Sequence, residues 1–288
     1  MSQIKIVTDS TADLSKKQID KYNIKVIPLT VTFGNDSYAD GVNLPAEEFY
    51  KKLTSEQEMP KTTQPSPEMF RQAYEEEASP DDTIISIHIS GKLSGTLNSV
   101  EVASGMVKPR VIPVDSKNAS QGVGRIVLIA AEAAKRGMSP EEILNLTQRS
   151  VEKTFSVFAV DTLEYLQRNG RIGKAASLAG SLLQIKPILY ADSEGMVAPY
   201  DKVRGRSKVI PTLLKAALDN LPPEQPVNLS VVHTVAEENA QTLLENLQAE
   251  YEIADLHMGL VGPAIGTHIG PGAVGLMIQP SFESLVNL

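Results

Sequence analysis

The chain has no cysteine and no tryptophan among its 288 residues, and aromatics make up only 5%. Without cysteine there is no disulfide, no thiolate nucleophile, no iron–sulfur cluster and no Cys-type zinc site. The four histidines, His88, His233, His257 and His268, have no i, i+4 pairing, so no metal site is expected from them. Cations are in deficit: 27 Lys and Arg against 35 Asp and Glu give a formal charge of −8, which argues against a nucleic-acid partner. Long apolar runs are missing too. Segments 126–134, 175–183 and 274–278 fall short of the roughly 20 residues that span a bilayer. Residues 1–9 show no basic region followed by an apolar one, so a cytoplasmic location is expected.

Several motifs are absent as well. No G-x-x-x-x-G-K-[ST] occurs, which excludes a P-loop, and no G-x-S-x-G, which argues against a nucleophile elbow. Gly270-Pro271-Gly272-Ala273-Val274-Gly275 matches G-x-G-x-x-G, but only 13 residues follow it, too few for a dinucleotide-binding unit.

What is present reads as an α/β fold. Strands are expected over 4–7, 26–31, 83–87 and 111–114. Helices are expected over 13–22, with Ser10 as a possible cap, and over 94–106, 119–136 and 140–153. This alternation predicts a mainly parallel sheet flanked by helices. From residue 155 the texture changes: strands over 155–160, 188–190 and 197–203, the last two joined through Asp192-Ser193-Glu194-Gly195, predict antiparallel pairing. Strands over 227–233, 253–257 and 274–278 follow, with a helix over 237–250. Two α/β domains are expected, 1–155 with the parallel sheet and 156–288 with a mixed or largely antiparallel one.

Three segments concentrate the remaining chemistry. Pro60-Lys61-Thr62-Thr63-Gln64-Pro65-Ser66-Pro67 is held extended by its prolines, and its hydroxyls suit either a helix cap before Glu68 or a binding site. Ser90-Gly91-Lys92-Leu93-Ser94-Gly95-Thr96 lies between a strand and a helix, where free N–H groups favour an anion; Ser94 or Thr96 would serve equally as a cap. Residues 262–272 space glycines around His268, their only titratable side chain, and glycine lets backbone approach a ligand closely, although a lone histidine is commonly structural. Charge adds a fourth signal. Residues 166–208 carry eight cations against three carboxylates, and Lys202, Arg204, Arg206 and Lys208 would line one face of an extended segment. That face suits solvent, an acidic partner or a phosphate.

Val7-Thr8-Asp9-Ser10-Thr11, Thr62-Thr63-Gln64-Pro65-Ser66, Leu93-Ser94-Gly95-Thr96, Leu166-Gln167-Arg168-Asn169-Gly170-Arg171-Ile172, Lys186-Pro187-Ile188-Leu189 and His268-Ile269-Gly270-Pro271-Gly272-Ala273 form an ordered set. In order and spacing the chain resembles, over its whole length, the DegV family of bacterial fatty-acid-binding proteins, which includes the acyl-carrying subunits of fatty acid kinase. The resemblance implies a ligand cleft between the two domains, with a long acyl chain in a buried apolar tunnel and its carboxylate at the interface. It implies Thr62 and Ser94 as hydroxyl donors, with Thr63 as the alternative to Thr62. Backbone at Gly95 is implied as a further donor, with His268 close by. Arg171, Arg204 and Arg206 are implied as the surface that meets a kinase, and no cofactor or metal is implied. Thr63 and Leu97-Asn98 depart from the family's Ser and Tyr-Gln, and the latter change is expected to alter the pocket wall.

The physics is coherent with that implication. About 15 methylenes at roughly 0.8 kcal/mol each supply about 12 kcal/mol of gross transfer free energy, against association costs of similar order. Apolar burial then supplies affinity, and hydroxyl donors orient a carboxylate that must stay nucleophilic. The small residues over 173–180 suit either a close-packed wall or plain helix packing. The expected function is to bind a long-chain fatty acid such as palmitate and present it to a separate kinase for acyl-phosphate formation and phospholipid synthesis. Transient contact with the membrane lipid-synthesis machinery goes with it, and the chain itself is not a catalyst. Two other classes stay open: an esterase or thioesterase with Ser94 as nucleophile, His268 as base and Asp9 or Asp115 as acid, and a binder of polar, phosphosugar-like molecules.

Overall fold

β-Branched runs early in the chain form seven strands in the computed structural model, which describes residues 2–55, 59–178 and 185–288. These are β1 (Ile4–Asp9), β2 (Lys25–Ile27), β3 (Thr30–Phe33), β4 (Asp36–Ala39), β5 (Lys61–Thr63), β6 (Thr83–His88) and β7 (Arg110–Asp115). They make two sheets. β2-β1-β6-β7 pair in that order and all in parallel, as expected, whereas β4-β3-β5 form a separate antiparallel sheet. The single strand expected over 26–31 is cut at Pro28, which has no N–H to continue a ladder. Lys25–Ile27 stays beside β1 and the chain beyond turns away into the small sheet.

Alternation along the strands sorts the core. Val7 and Ile84 meet Phe70, Tyr74 and Val100 from the helices Pro67–Glu77 and Thr96–Ser104. Ile6, Ile85 and Ile87 face the opposite way, onto Val123, Ile126 and Ala130 of the helix Gln121–Lys135. The first helix begins later than expected, at Lys16–Tyr22, because Ser15 and Gln18 form a capping box there; Ser10 Oγ instead accepts the Leu29 N–H at 3.0 Å.

The second half builds β8 (Phe155–Ala159), β9 (Ile185–Ala191), β10 (Val197–Arg204), β11 (Val227–His233), β12 (Ile253–Leu260) and β13 (Val274–Pro280). Their order is β10-β9-β8-β13-β11-β12, antiparallel at every step except β11 beside β12. The mixed sheet is thus as expected, and its final strand lies in its middle. Helices Val209–Asn220 and Glu237–Glu250 cover one face through Leu213, Ala217, Leu243 and Leu247. The Gln121–Lys135 helix reaches the other half through Arg125, which is 1% exposed. Its guanidinium donates to Ser230 Oγ at 2.7 Å, to the Leu229 carbonyl and to the Asp255 carboxylate. Among the described residues no helix is long and apolar enough to cross a membrane.

Candidate functional site

Between the carboxyl ends of the parallel strands, the inner face of the mixed sheet and the segment after β12 lies a cavity of about 300 Å³, within the range of small-molecule sites. Ile89, Leu93, Phe158, Val232, Val261 and Met277 supply apolar wall, while Thr62, Thr63, Gln64, Ser94, Arg171 and His268 supply polar groups.

The three-stranded sheet places the threonines. Pairing of Val31 with Thr62 leaves Thr62 half-buried and Thr63 exposed, and both residues line the cavity. Thr62 Oγ1 lies 2.8 Å from His268 Nε2. The cap reading of this segment holds: Ser66 Oγ accepts the Met69 N–H at 3.3 Å and caps the following helix. Gln64 donates through Nε2 to the Gly95 carbonyl at 3.0 Å and to Ser99 Oγ at 3.1 Å.

His268 stands in the last turn of a helix, Pro263–Ile269, where the sequence suggested a glycine loop. Two carboxylates, the buried Asp40 and the half-buried Asp13, hold the start of that helix. Asp13 Oδ1 accepts the Gly262 N–H at 3.1 Å, and Asp40 Oδ1 accepts the Ala264 N–H at 3.2 Å. Burial pushes Asp13 up to about 8 and Asp40 up to about 6; Ser120 Oγ donates to Asp13 Oδ2 at 2.5 Å. The glycines here admit side chains, not a ligand. A Cβ at Gly266 would fall 2.6 Å from Tyr50 Oη, one at Gly272 would fall 2.6 Å from Asp161 Oδ2, and one at Gly270 would overlap the Tyr165 ring. Burial, with the Arg171 cation adding to it, brings the His268 imidazole down to about 4, so it is neutral at pH 7. Its Nδ1 is buried with no partner among the described residues.

Ser94 lies on the cavity wall and also acts as a local cap: its Oγ is 2.9 Å from Thr96 Oγ1 and accepts the Thr96 N–H at 3.3 Å. Gly95 is the N-cap of the helix Thr96–Ser104, just behind the wall, where its missing side chain makes room for the Gln64 amide. Arg171 is both exposed and part of the wall, donating to the Leu93 carbonyl at 3.2 Å and the Asn169 carbonyl at 2.8 Å. Arg204 is exposed at the end of β10, and Arg206 is 75% exposed, 2.9 Å from Asp161. The four cations expected on one extended face are not aligned, because the strand ends at Arg204 and Arg206–Lys208 form a 3-10 turn.

Other expectations are corrected by position. Leu97 and Asn98 are not part of the cavity wall. Of the small-residue segment, Ala175 packs with Leu166, Leu189 and Val197, while Ala179 and Gly180 lie outside the described residues. The Ser-His-acid arrangement of a hydrolase is not assembled. Ser94 has no hydrogen bond to His268, Asp9 is held by His88 Nδ1 at 2.8 Å, and Asp115 accepts the Lys117 N–H at 2.8 Å. Asp13, Asp40, Asn118 and Ser156 escaped the sequence reading, since isolated polar residues near strand ends carry no spacing signal.

A family model described as "Uncharacterised protein, DegV family" matches residues 3–281. A fatty acid-binding protein from Thermotoga maritima is 35% identical over 282 residues, covering 96% of this chain and 98% of its own length. Among solved structures, a fatty-acid-binding DegV family protein from Thermus thermophilus superposes with a TM-score of 0.91 at 35% identity, covering 97% of this chain and 100% of that one. DegV from Bacillus subtilis, described as a fatty acid binding protein, gives 0.89 at 34% identity, with 98% and 100% covered.

Proposed function

The chain belongs to the DegV family, and on that footing we propose that it binds one long-chain fatty acid, such as palmitate, in the cavity between residues 1–155 and 156–288 taken as two domains. The observation that carries the reading is the pairing of an apolar wall with the half-buried His268 imidazole, hydrogen-bonded to Thr62 on one nitrogen and, among the described residues, unpartnered at the buried other one. A carboxylate arriving there finds hydroxyls at Thr62 and Ser94, the neutral His268 ring and the nearby Arg171 cation. None of these alone is a tight clamp. Affinity then comes from methylene burial, and the polar end sets which way the chain enters.

In this reading the protein does no chemistry on its cargo. It presents the carboxylate to a separate kinase in the cytoplasm, with Arg171, Arg204 and Arg206 as the docking surface, and the acyl phosphate proceeds to phospholipid synthesis. The exposure of all three arginines supports that surface. Purified protein extracted with organic solvent should release close to one fatty acid per chain, identified by mass spectrometry. An empty extract, together with no uptake of added palmitate, overturns the reading.

A further inference from the structure

We propose that the cavity carries a second hydrogen-bonding site, formed by Asn118 and Ser156, that receives a hydroxyl group on the acyl chain; this rests on the fatty-acid reading above. Asn118, 4% exposed, sits between β7 and the Gln121–Lys135 helix, and Ser156, 3% exposed, lies on β8; both line the cavity. Ser156 Oγ donates to Asn118 Oδ1 at 2.6 Å. The Ala119 N–H donates to the same oxygen at 3.3 Å, and because a backbone amide can only donate, the identity of the two amide atoms is fixed.

Two unused capacities follow from that arrangement. The Asn118 Nδ2 group has two N–H donors and no partner among the described residues, and it is not sealed away, so its open side is the cavity. Ser156, which also lines the cavity, has spent its proton on Asn118, so its remaining hydrogen-bonding capacity is that of an acceptor. Neither residue is hydrogen-bonded to Thr62, Ser94 or His268, so the pair's free capacities are not spent on those groups. Apolar wall adjoins it: Met277 is the cross-strand partner of Ser156, and Phe158 follows two residues along the same face of β8.

A donor beside an acceptor in an apolar wall is the complement of a hydroxyl group. A methylene leaves both capacities unpaired, a keto oxygen satisfies only the Asn118 N–H, and a hydroxyl accepts from Asn118 while donating to Ser156. Burying polar groups without partners is costly, so the site discriminates against the plain chain as well as favouring the oxygenated one. The ligand class is therefore a long-chain hydroxy fatty acid with its oxygen partway along the chain.

The test is a competition binding series with stearate, hydroxystearates carrying the hydroxyl at successive mid-chain carbons, and the matching oxostearates. One hydroxy isomer should bind about tenfold tighter than stearate, with its oxo counterpart between them. Ser156→Ala, which removes the acceptor with little effect on packing, and Asn118→Leu, which removes the donor, should each lower that preference about tenfold. If stearate binds and every hydroxy isomer binds no better, a water satisfies the pair and the site is not a hydroxyl site. Preference that survives both substitutions overturns the assignment of residues. If neither stearate nor any isomer binds, the fatty-acid reading itself fails.

Discussion

Thr62 and His268, 206 residues apart in sequence, meet at 2.8 Å between Oγ1 and Nε2. One comes from the smallest sheet and the other from a seven-residue helix, so neither element positions the pair alone. The helix is too short to be stable by itself and takes its place from the Asp13 and Asp40 carboxylates at its start. The pair is thus the output of three separate pieces of structure.

Thr62→Val keeps the shape of the side chain and removes its hydroxyl, leaving the imidazole with no partner on either nitrogen among the described residues. Palmitate affinity should fall by about 1–2 kcal/mol while the far-ultraviolet circular dichroism is unchanged. Titration calorimetry on the delipidated protein reads this directly.

Ser94→Ala should weaken palmitate binding by about 1–3 kcal/mol if the hydroxyl donates to the carboxylate. Unchanged affinity would assign Ser94 to capping alone, through its bond to the Thr96 N–H.

Stability should depend on pH in two opposing ways. His268 has a folded value near 4 against 6.5 unfolded, so the unfolded chain binds an extra proton between them and stability falls as pH drops through that window. Asp13 has a folded value near 8 against 3.8 unfolded, so the folded chain holds the extra proton and stability falls as pH rises toward 8. Asp40 adds the same sign up to about 6, and His257, near 4, adds that of His268. Near pH 6.5 the unfolded chain still takes up protons at His268 and His257, so Asp13 is isolated by comparison with Asp13→Asn, whose amide mimics the protonated acid. Urea melts should show the stability of the parent relative to Asp13→Asn declining as pH rises from 6.5 to 8.

Asp255→Ala should destabilise the fold by about 3 kcal/mol, because it leaves the Arg125 guanidinium buried without its counter-charge. Asp255 itself is 57% exposed, and water can reach its position, which keeps the loss at the low end for a stranded buried charge. Thermal unfolding measures it. A loss below about 0.5 kcal/mol would mean that Ser230 and the Leu229 carbonyl satisfy Arg125 without help.

Arg204→Ala with Arg206→Ala should leave bound lipid intact and cost under about 1 kcal/mol of stability, since the Arg206–Asp161 pair is open to solvent. Phosphorylation of the cargo by the proposed kinase should slow and lose much of its salt dependence. Loss of lipid content would move these arginines into the binding site.

The sheet architecture was legible because it depends on local pattern. Period-two β-branched runs separated by helical stretches gave the parallel sheet, and the Asp192–Gly195 turn marked the change to antiparallel pairing. The three-stranded sheet was not legible, because Thr30–Phe33 and Lys61–Thr63 are too short to show a period and find each other only in three dimensions. Thr62, Ser94 and His268 stood out as hydroxyl and imidazole groups in unusual loops. Asp13 and Asp40 did not, since what makes them unusual is burial, which one sequence does not display. The glycines around His268 misled for a related reason: the close approach they permit is to Tyr50, Tyr165 and Asp161, three side chains distant in sequence.

The place of β13 in the middle of the six-stranded sheet sets an order of events during synthesis. β8 and β11 each pair with it along one edge, so until Val274–Pro280 has emerged the strands made earlier stand as two unjoined groups, β10-β9-β8 and β11-β12. The same strand supplies Val274, Gly275 and Met277 to the cavity wall, and His268 is translated just before it. A growing chain therefore lacks this part of the cavity wall until Val274–Pro280 has joined the two groups of strands.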